Sequence, residues 1–116
     1  MIITGDLKVV DVNLALELIS GYEQIYQKLI LAFQENQSNL IEDIKKHLDN
    51  DLNEARRLVH SCKGISKNIG SLPLYEVTSA LESAIINRDS ELINIYFVKF
   101  QVIFEQVLVD LNNIQF

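Results

Sequence analysis

The sequence predicts an all-α fold: an up-down-up-down antiparallel four-helix bundle with a short N-terminal capping helix. Three observations lead there. Apolar residues recur at steps of three and four along most of the chain, no segment shows the strict alternation of a half-buried strand, and four glycines and one proline leave few places to turn. Valine and isoleucine are plentiful, but they follow the helical step, and that period outweighs β-propensity, which is a weak prior.

The first predicted helix is short. Val12, Ala15, Leu16 and Ile19 form one stripe, and Gly21 in "SGY" suits a left-handed cap. The second runs from about Glu23 to Leu48, with Ile25, Tyr26, Leu29, Phe33, Leu40, Ile41, Ile44 and Leu48 on its apolar side. Its polar segment "QENQSN", residues 34–39, fits either a solvated turn of helix or a kink.

Asp51 opens the third helix, placed to accept from first-turn amides, and Glu54 three residues on completes a capping-box spacing. This helix should reach about Ile69, with Gly70 as its C-terminal cap. Pro73 falls in the first turn of the fourth helix, where its missing amide hydrogen costs nothing, and Leu74, Val77, Leu81, Ala84 and Ile85 face inward. After "NRDS" a fifth helix buries Ile93, Tyr96, Phe97, Phe100, Phe104, Val107, Leu108 and Leu111. Short connections make consecutive long helices antiparallel neighbours.

A chain of 116 residues with 48% hydrophobic content fills one core without disulfides or metals, so residues 1–116 are expected to form a single domain and a monomer. Ten basic against 16 acidic residues leave a net charge of −6, which disfavours nucleic acid or an anionic membrane as partner unless basic residues cluster locally. The lone cysteine, Cys62, excludes an internal disulfide framework and a multi-thiolate zinc site, and fits a reducing, cytoplasmic location. No basic leader precedes a long apolar stretch, and no uncharged apolar run approaches the ~20 residues a bilayer needs, so a soluble domain is expected.

Spacing at about 100° per residue sorts the third helix into three faces. Leu52, Ala55, Val59, Cys62, Ser66 and Ile69, flanked by Leu58 and Ile65, make the core stripe; Arg57, Ser61 and Asn68 make an outer polar face. Between them run Arg56, His60, Lys63, Gly64 and Lys67. An acidic protein thus gathers three cations and an imidazole on one flank, which as a pattern fits either a reactive site or a solvated basic surface with an incidental histidine.

Gly64 separates the two. A mid-helix glycine is roughly 1 kcal/mol less favourable than alanine, so a bundle that retains one gains from close approach by something else. Here the absent Cβ lets a partner surface reach His60, one turn away, while Lys63 extends an ammonium group to the same region. An imidazole of ordinary pKa, about 6.5, is substantially neutral near pH 7 and able to attack phosphorus, and a nearby cation offsets charge on phosphoryl oxygens in a loose transition state. The arrangement suits nucleophilic transfer of an anionic group.

The stretch "HSCKGISKNIG" resembles the signature of histidine-containing phosphotransfer domains, with His60, Lys63, Gly64 and Gly70 at the signature positions. "LISGYEQIYQKLILAF" at 18–33 and "LYEVTSALESAI" at 74–85 resemble the family's helices on either side. The resemblance implies a relay in which His60 accepts a phosphoryl group from the aspartate of one response-regulator receiver domain and passes it to another. It also implies that Lys63 contacts the phosphoryl oxygens, that Gly64 leaves clearance and that Gly70 is structural. Magnesium would belong to the receiver, with no cofactor on this chain and no autonomous kinase or ATPase activity.

The implied partners are receiver domains and a hybrid sensor histidine kinase. Docking is expected on the exposed flank of the third helix together with the second helix and the short N-terminal one, Arg56 and Lys67 facing the acidic receiver pocket. Family members often place a polar side chain of the next helix near the histidine, and Ser79, Glu82 and Ser83 are the candidates. Two other readings compete: a helical adaptor that carries no phosphoryl group, and the phosphoacceptor domain of a chemotaxis-type kinase. Neither His47 nor His60 belongs to a Glu-x-x-His pair, so a metal site is not expected; His47 reads as a surface residue near a helix end and Cys62 as core packing.

Overall fold

The computed structural model describes residues 1–37 and 39–116. Its elements in chain order are β1 (Ile3–Thr4), α1 (Val12–Leu18), α2 (Glu23–Asn36), α3 (Leu40–Asn50), α4 (Leu52–Ser66), α5 (Leu72–Ile86), α6 (Ser90–Asn112) and β2 (Ile114–Gln115). The all-α class holds. α4 packs between α3 and α5, α6 packs on the far side of α5, and the whole is 45 Å long and 22 Å across. Tyr26, Phe33, Ile44, Val59, Leu74, Leu81, Phe100 and Phe104 fill its core.

The single helix expected from Glu23 to Leu48 is two helices. The chain leaves helical geometry at Gln37 (φ −107°, ψ 6°) and Asn39 (φ −108°, ψ 10°), then resumes with the Leu40 amide donating to the Gln37 carbonyl at 3.1 Å. Polar residues there have no apolar face to hold the turn against the core, so the interruption costs little burial. Ser38, within the segment, lies outside the described residues. α2 then packs against the C-terminal half of α6, with the Phe33 and Phe104 rings 5.5 Å apart.

Ile25, expected inside, is exposed. Tyr26, Ile30 and Phe33, at steps of four and three, take the inward phase instead, and the Tyr26 hydroxyl donates to the buried Ile69 carbonyl at 2.9 Å. Burial, then the nearby Asp11 carboxylate, push that phenol well above its ordinary pKa.

The caps predicted at Asp51 and Gly70 are in place, Glu54 departs from its expected partner, and Ser71 and Asp89 are caps beyond those expected from the sequence. Asp51, Ser71 and Asp89 accept from Glu54, Leu74 and Leu92 amides and open α4, α5 and α6, and Pro73 sits in the first turn of α5. Glu54, expected to reach back in a capping box, instead pairs with Arg57 one turn along. Beyond Ser66 the winding continues to the predicted end: Ser71 N–H donates to Ser66 and Gly70 N–H to Lys67, both at 2.9 Å, which is a Schellman closure with Gly70 at φ +91°.

The two ends of the chain form a short strand pair that no alternation in the sequence marks. Ile3 and Thr4 pair antiparallel with Gln115 and Ile114. Beside it, the buried Asp110 carboxylate of α6 accepts from three successive amides, Lys8, Val9 and Val10, at 3.0, 2.7 and 2.9 Å, and from the Gln106 side chain at 2.9 Å. This carboxylate holds the N-terminal segment in place, so that α1 lies over the end of α4. α6 has the length and hydropathy to cross a membrane, yet it is also the helix whose Phe97, Phe100, Phe104 and Val107 close the bundle core.

Candidate functional site

α4 is phased by what it buries. Ala55, Val59, Cys62, Ser66 and Ile69 are enclosed, as the stripe predicts, while Leu52, Leu58 and Ile65 are half-buried at its edges. That phase turns His60 outward, its side chain 64% exposed. α5 crosses beside it, with Tyr75 beneath the Lys67 ammonium and Glu82 against His60 and Lys63.

Of the three candidates on that helix, the geometry selects Glu82. Its Oε2 lies 2.7 Å from His60 Nδ1, and Lys63 Nζ donates to its Oε1 at 3.2 Å. Arg56 approaches Oε2 at 3.8 Å. Ser79 turns its hydroxyl to the Tyr75 carbonyl at 2.9 Å, and Ser83 is exposed. The Glu82 side chain is only 8% exposed, and burial alone would raise its pKa; hydrogen bonds from Lys63 and His60 outweigh burial and hold it below the usual glutamate range.

The tautomer follows from this pair. A carboxylate can only accept, so Nδ1 carries the proton and the neutral ring leaves its lone pair on Nε2, on the side away from Glu82. The ring is thereby oriented at one nitrogen and left free at the other. When neutral, such an imidazole is a nucleophile with its lone pair on Nε2, and an ammonium group stands close by.

The basic flank divides in two. Arg56 and Lys63 converge on Glu82, whereas Lys67 Nζ stands 4.1 Å from the centroid of the Tyr75 ring, with Lys63 at 6.0 Å from the same ring. Lys63, expected from the sequence to contact a phosphoryl group, is tied to the Glu82 carboxylate. Sequence reasoning missed that attachment. The spacing 75, 79, 82 marks one face of α5 as polar, but the rotation of α5 against α4 is what turns that face to His60.

Gly64 is open: a Cβ built there meets nothing within 4 Å. The space it clears lies outside the chain, next to His60. Gly70 is the opposite case, since a Cβ would collide with the Asp11 carbonyl and press on the Ala15 side chain. Cys62 is a buried thiol that burial pushes up to about 12, the Ser66 hydroxyl opposing it, so it has no thiolate character near neutral pH. His47 is half-buried in the last turn of α3. No group of three His, Cys, Asp or Glu with metal-holding geometry occurs among the described residues.

Among known families, the model described as the Hpt domain matches residues 28–110, well over half of the chain, from the second turn of α2 to the last turn of α6. No curated protein and no solved structure matches the chain significantly.

Proposed function

Because this chain belongs to the Hpt domain family, the histidine phosphotransfer domains of two-component signalling, we propose that His60 is its phosphoacceptor and that the protein relays a phosphoryl group between receiver-domain aspartates. One observation carries the assignment: His60 Nδ1 lies 2.7 Å from the buried Glu82 carboxylate while the side chain as a whole is 64% exposed.

In the accepting step the Nε2 lone pair attacks phosphorus of a receiver's aspartyl phosphate. The N–P bond forms, the P–O bond to the aspartate breaks, and the aspartate leaves as a carboxylate. No base on this chain is needed, because Nε2 carries no proton to remove. Lys63, 29% exposed and at the edge of the site, reaches the incoming oxygens by exchanging its Glu82 bond for a phosphoryl contact. The receiver supplies Mg2+ and the remaining catalytic groups; this chain supplies the ring, the cation and a docking face.

That face is the exposed flank of α4 around Gly64, with Arg56 and Lys67 toward the acidic receiver pocket. Leu18, Tyr22 and Ile25, left exposed where α1 meets α2, would add its apolar part. The partners of this reading are receiver domains and a hybrid sensor kinase, met by a monomer in the cytoplasm. The test is incubation with a labelled phosphorylated receiver domain: label should pass to this chain, be acid-labile and alkali-stable, and be absent from His60→Gln. Label retained by that variant would overturn the assignment.

A further inference from the structure

Accepting and donating the phosphoryl group make different demands on the ring. Accepting needs a lone pair on Nε2. Donating breaks the N–P bond and returns that pair to Nε2, and the departing ring is then either neutral imidazole, if Nδ1 holds a proton, or imidazolate, if it does not. Imidazolate is a strong base and a poor leaving group. Nδ1 therefore has to stay protonated on a ring that also bears a phosphoryl group.

We propose that Glu82 is a positioning residue for the outgoing step, holding the proton on Nδ1 of phosphorylated His60 so that the ring departs as neutral imidazole at neutral and alkaline pH. The proposal rests on His60 being the phosphoacceptor. Nδ1 lies 2.7 Å from a carboxylate that is nearly enclosed, where water competes poorly for the bond. Before any phosphoryl group arrives the same carboxylate is also held on its other oxygen by Lys63 at 3.2 Å, and Arg56 stands 3.8 Å from the oxygen that faces the ring.

The surrounding charges sharpen the role. From α4, Arg56 and Lys63 face the ring region, with Lys67 one turn beyond over Tyr75; from α5 the facing charge is Glu82; among the described residues no charged group of α3 pairs with any of these. Arg56 and Lys63 oppose the positive charge that a phosphorylated ring carries when Nδ1 is protonated, and Glu82 is the carboxylate that favours it. When Lys63 leaves Oε1 for the phosphoryl oxygens, the carboxylate loses one cation and its hold on the Nδ1 proton strengthens. One lysine movement thus serves both ends of the ring: it stabilises the phosphoryl group and frees Glu82 to retain the proton.

The experiment starts from full-length chain labelled on His60 and freed of its donor. Transfer to a fresh receiver domain with Mg2+ is timed from pH 6 to pH 10 for the natural protein, Glu82→Gln and Glu82→Ala, the folded state of each being verified by circular dichroism. The receiver's own pH dependence is common to all three, so the ratio of variant to natural rate isolates the ring. That ratio should be highest near pH 6, where a phosphorylated ring is protonated without help, and should fall roughly tenfold or more by the alkaline end. Nitrogen-15 resonances of the phosphorylated ring should show Nδ1 losing its proton at lower pH in Glu82→Gln. A ratio that is the same at every pH, with coincident Nδ1 titrations, would overturn the proposal while leaving His60 as phosphoacceptor. A chain that takes no label at all would remove both.

Discussion

Asp11 and Gly70 are in backbone contact: the Asp11 amide donates to the Gly70 carbonyl at 2.8 Å, and the Asp11 carbonyl occupies the space where a Gly70 side chain would begin. The end of the histidine helix and the start of α1 are therefore joined through a residue that has no Cβ and sits at φ +91°. Gly70→Ala combines left-handed strain with a collision against backbone, which cannot move aside cheaply. Urea unfolding should show a loss of about 2 kcal/mol or more, and a loss below half of that would mean the N-terminal segment simply lifts off.

Gly64 should behave in the contrary way. Nothing in the chain fills the space beside it, so Gly64→Ala is expected to raise stability by up to ~1 kcal/mol through helix propensity alone. Gly64→Gln should fold equally well, yet slow phosphoryl transfer on the order of tenfold to a hundredfold by holding the partner off His60. Normal transfer by the glutamine variant, measured with a labelled receiver, would show that the clearance serves no partner.

Lys67 is the cation of the flank that rests on an aromatic ring rather than on Glu82. Its charge is available to a docking surface, where it acts mainly on encounter rate. Lys67→Glu should slow transfer from a receiver at low salt, and the difference should shrink near 1 M salt, where the screening length is about 3 Å. Rates of variant and natural protein whose ratio ignores ionic strength would argue against an electrostatic role.

Glu82 also gives stability a pH dependence of definite sign. Burial raises its pKa, but the bonds from Lys63 and His60 bring it below the ordinary 4.5, so the folded state binds this proton less readily than the unfolded chain. The contribution is therefore present above the ordinary value and disappears as pH falls through the folded one. Glu82→Gln should be less stable than the natural protein at pH 7, by on the order of 1 kcal/mol, and the two denaturation curves should converge in acid. A gap that persists unchanged to pH 2.5 would place the effect in packing instead of charge.

Much of this was legible in the residues, for local reasons. The core stripe of α4 follows from spacing alone, as do the caps at Asp51 and Gly70 and the outward place of His60, because each depends on positions within one or two turns of each other. The division of the expected second helix was only half legible: the polar run at 34–39 marked the place, and burial on either side decided between a turn and a break. Ile25 and Tyr26 occupy neighbouring phases that cannot both face inward, and Tyr26 is the one whose hydroxyl meets a buried acceptor, the Ile69 carbonyl beyond the end of α4.

By itself the sequence determined the helical class, the phase of α4, and the meeting of a histidine, a lysine and a glycine on one exposed flank. These are periodic properties, carried by steps of three and four along a single segment. Tertiary structure alone decided which side chain of α5 faces His60, that Lys63 is bound to Glu82, and that Asp110 gathers the amides of residues 8–10 from the opposite end of the chain. The physical reason is common to all three: a hydrogen bond between distant segments depends on the rotation and offset of one packed helix against another, and no periodicity within either segment encodes them.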